Sequence, residues 1–235
     1  KRNLLKNIFL SLCLVVFPMG MAAKQEATVT SPSGNLTLTA GVDKAGRPYY
    51  SLSRGKEAIL LPSYLGVKLK DGSLDSDFGV MGFVRATKDE TWHQPWGEEN
   101  DVRNHYNELT MKLAQRKGLK RQLTIVFRVF DDGMGFRYVF PEQKNLKHFV
   151  IMDEETEFCF KGDPEAWTLP YDADYYEGLW TKAPLSKKQK VCTPITIEAK
   201  PDLYMMLHEA NLTDYASLNV KPVETKEGNV RMRAE

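Results

Sequence analysis

A turn signal interrupts this chain at roughly eight- to twelve-residue intervals, and that punctuation excludes most folds before any motif is read. Ser33-Gly34-Asn35, Asp43-Lys-Ala-Gly46-Arg-Pro48, Arg54-Gly55, Asp71-Gly72 and Asp131-Asp-Gly133 separate short runs of alternating apolar and polar residues. Leu36-Thr-Leu-Thr-Ala-Gly-Val42 is one such run, and Ile125, Phe127 and Val129 set against Val126, Arg128 and Phe130 is another. Alternation of period two places successive side chains on opposite faces of a strand. No stretch after the first 23 residues carries the 3.6-residue period of a helix longer than a turn or two. The pattern therefore predicts an all-β fold, a sandwich or barrel built of meanders and hairpins. The tightest turn, Asp131 to Gly135, predicts a hairpin, with Arg137 anchoring it through a carboxylate or a carbonyl.

The N-terminus is different in kind. Lys1-Arg-Asn-Leu-Leu-Lys6, an apolar run from Ile8 to Phe17 and the small residues Gly20 to Ala23 have the order of a secretory signal peptide. The reading is a leader over residues 1–23 and one β domain over 24–235, in a periplasmic or secreted protein. Loss of Lys1, Arg2 and Lys6 takes the net charge from +1 to −2, which argues against a nucleic-acid surface. Nothing after the leader is apolar enough to span a membrane as a helix. Cys159 and Cys192 either bridge in an oxidising compartment or sit apart as small core residues. The basic run Lys182 to Lys190 reads as a solvated loop. Val230-Arg-Met-Arg reads as a strand that stops without a cap, so the chain is expected to be the front piece of a longer protein.

Two stretches carry chemistry. Trp92, Trp96, Glu98, Glu99, Arg103, Asn104, His105, Tyr106, Asn107 and Glu108 crowd two indoles with carboxylates, amides and a guanidinium. Aromatic faces stack on the apolar side of a sugar ring while amides and charges bond its hydroxyls. Trp96, Glu98, Arg103 and His105 are accordingly candidate sugar-binding residues. The competing reading is a hydrogen-bonded loop that pins the domain to a neighbour, with Arg103 paired to Glu98 or Glu108. The second stretch is Leu203-Tyr-Met-Met-Leu-His-Glu209, which follows a Pro-Asp turn and reads as a strand buried on both sides. Glu209 continues one of its apolar rows. A carboxylate there needs a cation, several donors or an opening to water. No nucleophile–base pair is visible, and the four His have no metal-ligand spacing.

Trp96-Gly-Glu-Glu99, Arg103-Asn-His-Tyr-Asn-Glu-Leu109, Asp132-Gly-Met-Gly-Phe-Arg-Tyr138 and Leu207-His-Glu-Ala-Asn-Leu-Thr-Asp-Tyr215 together resemble the N-terminal domain of glycoside hydrolase family 97. The resemblance implies a large two-sheet β-sandwich of the galactose-mutarotase type, preceding a (β/α)8 barrel that carries the catalytic residues. It implies a calcium ion shared between barrel carboxylates and a sandwich glutamate, here Glu209. It also implies an oligosaccharide substrate and the chain's own catalytic barrel as partner. The α-glucosidase branch is the expectation. The alternatives are the family's α-galactosidase branch and a free-standing carbohydrate-binding module.

Overall fold

The computed structural model describes residues 25–172, 174, 175 and 177–235. The leader read at residues 1–23 lies outside them. The first strands are β1 (Glu26–Thr30), β2 (Leu36–Val42), β3 (Pro48–Arg54), β4 (Glu57–Tyr64), β5 (Val67–Leu69) and β6 (Gly72–Leu74). Next come a long pair, β7 (Phe78–His93) and β8 (Asp101–Gln115), and then β9 (Gln122–Val129), β10 (Met134–Val139), β11 (Ile151–Glu154) and β12 (Glu157–Phe160). The last are β13 (Glu165–Pro170), β14 (Thr181–Pro184), β15 (Val191–Lys200), β16 (Leu203–Leu207), β17 (Asn219–Lys226) and β18 (Asn229–Ala234). Among the described residues the one helical element is a 3-10 turn at Leu185–Lys187. The all-β expectation is met.

One large antiparallel sheet runs β1-β2-β3-β4-β12-β18-β17-β15-β13-β14, with β16 added on β15. Against it packs a four-stranded sheet, β10-β9-β8-β7, and a three-stranded sheet, β11-β5-β6, extends the same core. The sandwich is thus as expected, with its second layer divided. Aromatic rings join the layers. Tyr50 on β3, with no exposed surface, lies 6.1 Å from Phe127 and 5.3 Å from Phe136, and Phe136 lies 6.5 Å from Phe158 on β12. Ile125, Phe127 and Val129 are fully buried, as their alternation predicts.

Turn chemistry sets the hairpins. Asp43 accepts hydrogen bonds from the N–H groups of Ala45 (2.8 Å) and Arg47 (2.9 Å), which closes the β2–β3 turn. Gly46 sits in it at φ +77°, and a Cβ there would lie 2.5 Å from the Phe78 nitrogen, so this position admits only glycine. The β9–β10 turn closes through Phe130 N–H to Gly133 O (2.8 Å). Arg137 does not anchor it: the side chain is exposed on β10, and Asp131 instead accepts from the Ser33 N–H (2.8 Å).

One further expectation is corrected and one open alternative is decided. Lys182 belongs to β14 rather than a solvated loop; its ammonium reaches Glu198 (2.7 Å) and Glu165 (3.0 Å) and lies 4.5 Å over the Trp167 ring. Of the two readings of the cysteines, the separate one holds, with Cys159 buried in β12 and Cys192 partly exposed on β15.

The large sheet forks at β15. Its first residues, Val191 and Cys192, pair with β17, while Ile195 to Lys200 pair with β16. Since β13 occupies the opposite edge along both halves, β16 and β17 leave β15 on the same side. Thr193 and Pro194 fall in the gap. Proline, which has no N–H to place in a ladder, is suited to that interruption.

Candidate functional site

Glu209 stands at this fork. The register Ile197↔Met205 and Ile195↔Leu207 turns Leu203, Met205 and Leu207 inward against fully buried isoleucines. Tyr204 and Met206 face outward and are 57% and 72% exposed. Burial on both sides, expected from the apolar run, is therefore not found. The strand is an outlying one paired only with β15, and no described layer covers its outer face.

Glu209 continues the inward row two residues past the strand and is half-buried. Its Oε2 accepts the Leu218 N–H at 3.0 Å. Oε1 has no hydrogen-bond partner among the described residues. The neighbouring bonds close the neck of the 208–218 loop. Thr193 Oγ1 donates to the Leu218 carbonyl (2.9 Å), and His208 Nδ1 lies 3.3 Å from the same hydroxyl. Farther round the loop, Tyr215 donates its hydroxyl proton to Glu154 Oε2 at 2.9 Å. A hard cation takes roughly six to eight oxygen ligands. No group of three His, Cys, Asp or Glu comes together among the described residues. Glu209, with one oxygen oriented by a backbone N–H and the other unengaged, fits as a single ligand to such an ion.

The other candidates occupy a protruding arm. Pairing from Phe78↔Gln115 to His93↔Asp101 carries the β7–β8 hairpin well beyond the sandwich, so the segment around Trp92 and residues 101–108 is strand rather than loop. Arg103 pairs neither with Glu98 nor with Glu108. Its Nε and Nη2 each reach an oxygen of Asp89 at 2.8 Å, the diagonal neighbour on β7. The guanidinium holds the Asp89 carboxyl below its usual pKa. Glu108 goes to Arg128 (2.9 Å). His105 Nε2 lies 3.9 Å from the same Asp89 carboxylate. Trp96, 80% exposed, and Glu98 lie in the connecting loop, which Gln94 closes by donating to the Asn100 and Glu99 carbonyls (2.8 and 2.7 Å).

Arm and fork are separate sites. Tyr138, whose hydroxyl lies 2.7 Å from Thr156 Oγ1, which in turn donates to Glu154, is aligned through Ile125 with Met111 on β8. Arg103 lies eight residues farther along β8, roughly 27 Å at about 3.4 Å per residue. A third feature, unmarked in the sequence, is a shallow concavity of about 390 Å3 on the outer face of the large sheet, lined by Trp167, Trp180, Thr196 and Tyr204.

The family model for the glycosyl-hydrolase 97 N-terminal domain matches residues 29–234. The chain belongs to glycoside hydrolase family 97, as its N-terminal domain. It superposes with a TM-score of 0.81 on a family 97 enzyme from Pseudoalteromonas sp. strain K8, solved in complex with acarbose and, as a variant, with panose. That match is 30% identical and covers 89% of this chain and 31% of that one. A retaining α-galactosidase of Bacteroides thetaiotaomicron is 28% identical over 93% of this chain and 34% of its own length. A probable retaining α-galactosidase of Streptomyces bingchenggensis is 26% identical over 77% and 28%. The chain spans about a third of the length of these relatives.

Proposed function

We propose that this chain is the non-catalytic sandwich of a secreted or periplasmic, calcium-dependent α-glucosidase, and that Glu209 lends one carboxylate oxygen to a calcium ion whose other ligands lie in a following catalytic barrel. The observation that carries this reading is the state of Glu209. It is drawn half out of water, fixed through one oxygen by the Leu218 N–H, and has no partner for the other oxygen among the described residues. A carboxylate so placed is favourable when a cation completes its surroundings. When bound, the ion would orient and polarise the reacting water or sugar oxygen. The acid and base, or acid and nucleophile, of glycoside hydrolysis are expected in the barrel. The complexes of the 30%-identical enzyme with acarbose and panose support an α-glucosidic oligosaccharide as substrate. Trp96, Glu98, Arg103 and His105 remain candidate sugar contacts, with Trp96 the most accessible.

In the full-length protein, Glu209→Gln is expected to weaken calcium affinity at least about tenfold and to lower turnover without lowering the melting temperature. Unchanged calcium affinity refutes the metal role. A second reading, the α-galactosidase branch, is favoured by the names of the two curated relatives at 28% and 26% identity. Comparison of kcat/KM on aryl α-glucoside and aryl α-galactoside decides between them.

A further inference from the structure

The hydroxyl of Tyr215 donates to the carboxylate, Glu154, at which a directed chain of hydrogen bonds from the other layer of the sandwich ends. The Gly66 N–H donates to the Tyr138 oxygen at 3.0 Å. Since Thr156 Oγ1 donates to Glu154 Oε1 (2.5 Å), the 2.7 Å contact between Tyr138 and Thr156 is a donation from the tyrosine. Tyr215 fills the second carboxylate oxygen. Both oxygens of Glu154 are thus occupied, and the carboxylate is a fixed acceptor. Position 66 admits no side chain: at φ +155°, a Cβ would lie 2.5 Å from the Asp75 Cα. Burial and the Glu154 carboxylate push the Tyr215 hydroxyl upward in pKa, so it stays a donor.

On the other side of the loop, Glu209 is oriented by a donor, Leu218 N–H, that lies three residues beyond Tyr215. The residues between Glu209 and Leu218 form no repeating structure. Apart from Tyr215, the side chains of its outer part bond only locally among the described residues, as Thr213 does to Asn211 (3.2 Å). Thr193 holds the Leu218 carbonyl from the neck (2.9 Å) and Tyr215 holds the chain three residues earlier, so the N–H that aims Glu209 is set between these two anchors. Resting on the reading of Glu209 as a calcium ligand, we propose that Tyr215 is a positioning residue for it, fixing the loop against Glu154 so that the free oxygen is presented in one geometry.

The test uses the full-length protein and terbium as a luminescent substitute for calcium. Tyr215→Phe is expected to weaken terbium and calcium binding roughly five- to tenfold, less than the full worth of a hydrogen bond to a charged group because Tyr215 is half exposed and water replaces part of it. Luminescence lifetimes in water and deuterium oxide should show additional coordinated water, a change that a merely structural role would not produce. Glu154→Gln, which keeps an acceptor oxygen, should retain more affinity than Glu154→Ala. The double variant Tyr215→Phe/Glu154→Ala should be no worse than Glu154→Ala alone. Glu209→Gln is measured alongside. If it leaves metal affinity unchanged, the reading of Glu209 fails. If it weakens binding while Tyr215→Phe changes neither affinity nor lifetime, that reading stands and the positioning role is overturned.

Discussion

Thr156→Val removes a single buried hydroxyl from the junction between the layers, at almost constant shape. Thr156 is 2% exposed, and its Oγ1 is the link between Tyr138 (2.7 Å) and Glu154 (2.5 Å). Valine supplies the same volume, so the cost is polar. Glu154 loses one donor to a charged oxygen, worth about 1.5–3 kcal/mol, and Tyr138 keeps a hydroxyl proton with nowhere to place it, about 1–3 kcal/mol. Glu154 is partly open and regains some water, which brings the expected loss to about 2–4 kcal/mol, a large share of the roughly 5–15 kcal/mol that holds a domain together. Urea unfolding should show a lower midpoint with an unchanged slope. Thr156→Ser, which retains the hydroxyl, is expected to lose about 1 kcal/mol. Tyr138→Phe combined with Thr156→Val should fall well short of the sum of the two single losses, because each change already breaks the same link. Additive losses, or a Thr156→Val loss below about 0.5 kcal/mol, would refute the network.

Phe127→Ala opens the ring cluster between the sheets, and with Phe127 fully buried against Tyr50 and Phe136 it is expected to cost about 3–5 kcal/mol in the same assay. The pH dependence is carried in part by Asp131, whose carboxyl is held below its usual value by the Ser33 hydroxyl and N–H. A group depressed on folding contributes fully above its unfolded pKa of about 3.9 and loses that contribution as pH falls through the folded value. Asp131→Asn should therefore lower stability by a constant amount in the neutral region and converge on the wild type as pH falls below about 4, flattening the acid limb of the profile; an unchanged acid limb contradicts the assignment.

The parts of this molecule that depend on nearest neighbours in sequence were legible. The Asp131–Gly135 turn, the alternation along β9 and the opening meander need only local backbone preference and a two-residue period. Register was not legible, and it decided the partner of Arg103: Glu98 and Glu108 are both nearer to it in sequence than Asp89, which the antiparallel pairing brings to it. Coverage was hidden as well. Tyr204 and Met206 have the hydrophobicity of a core strand, and nothing local shows that β16 would lie outside the main ladder. Glu154 and Tyr215 are 61 residues apart and come from different structural units, so no spacing rule connects them. Glu209 was singled out because a carboxylate on an apolar row poses a solvation problem wherever the strand lies. The structure gives half of the solution in the Leu218 N–H.

The fork at β15 has a consequence for how such a site diversifies. Because β16 and β17 each hold their own register on a separate half of one strand, residues 208–218 can lengthen or shorten without sliding either ladder. The loop is a replaceable fitting on a fixed bracket. Changes in its length re-aim the carboxylate at its base while the pattern of core side chains between the layers stays as it is.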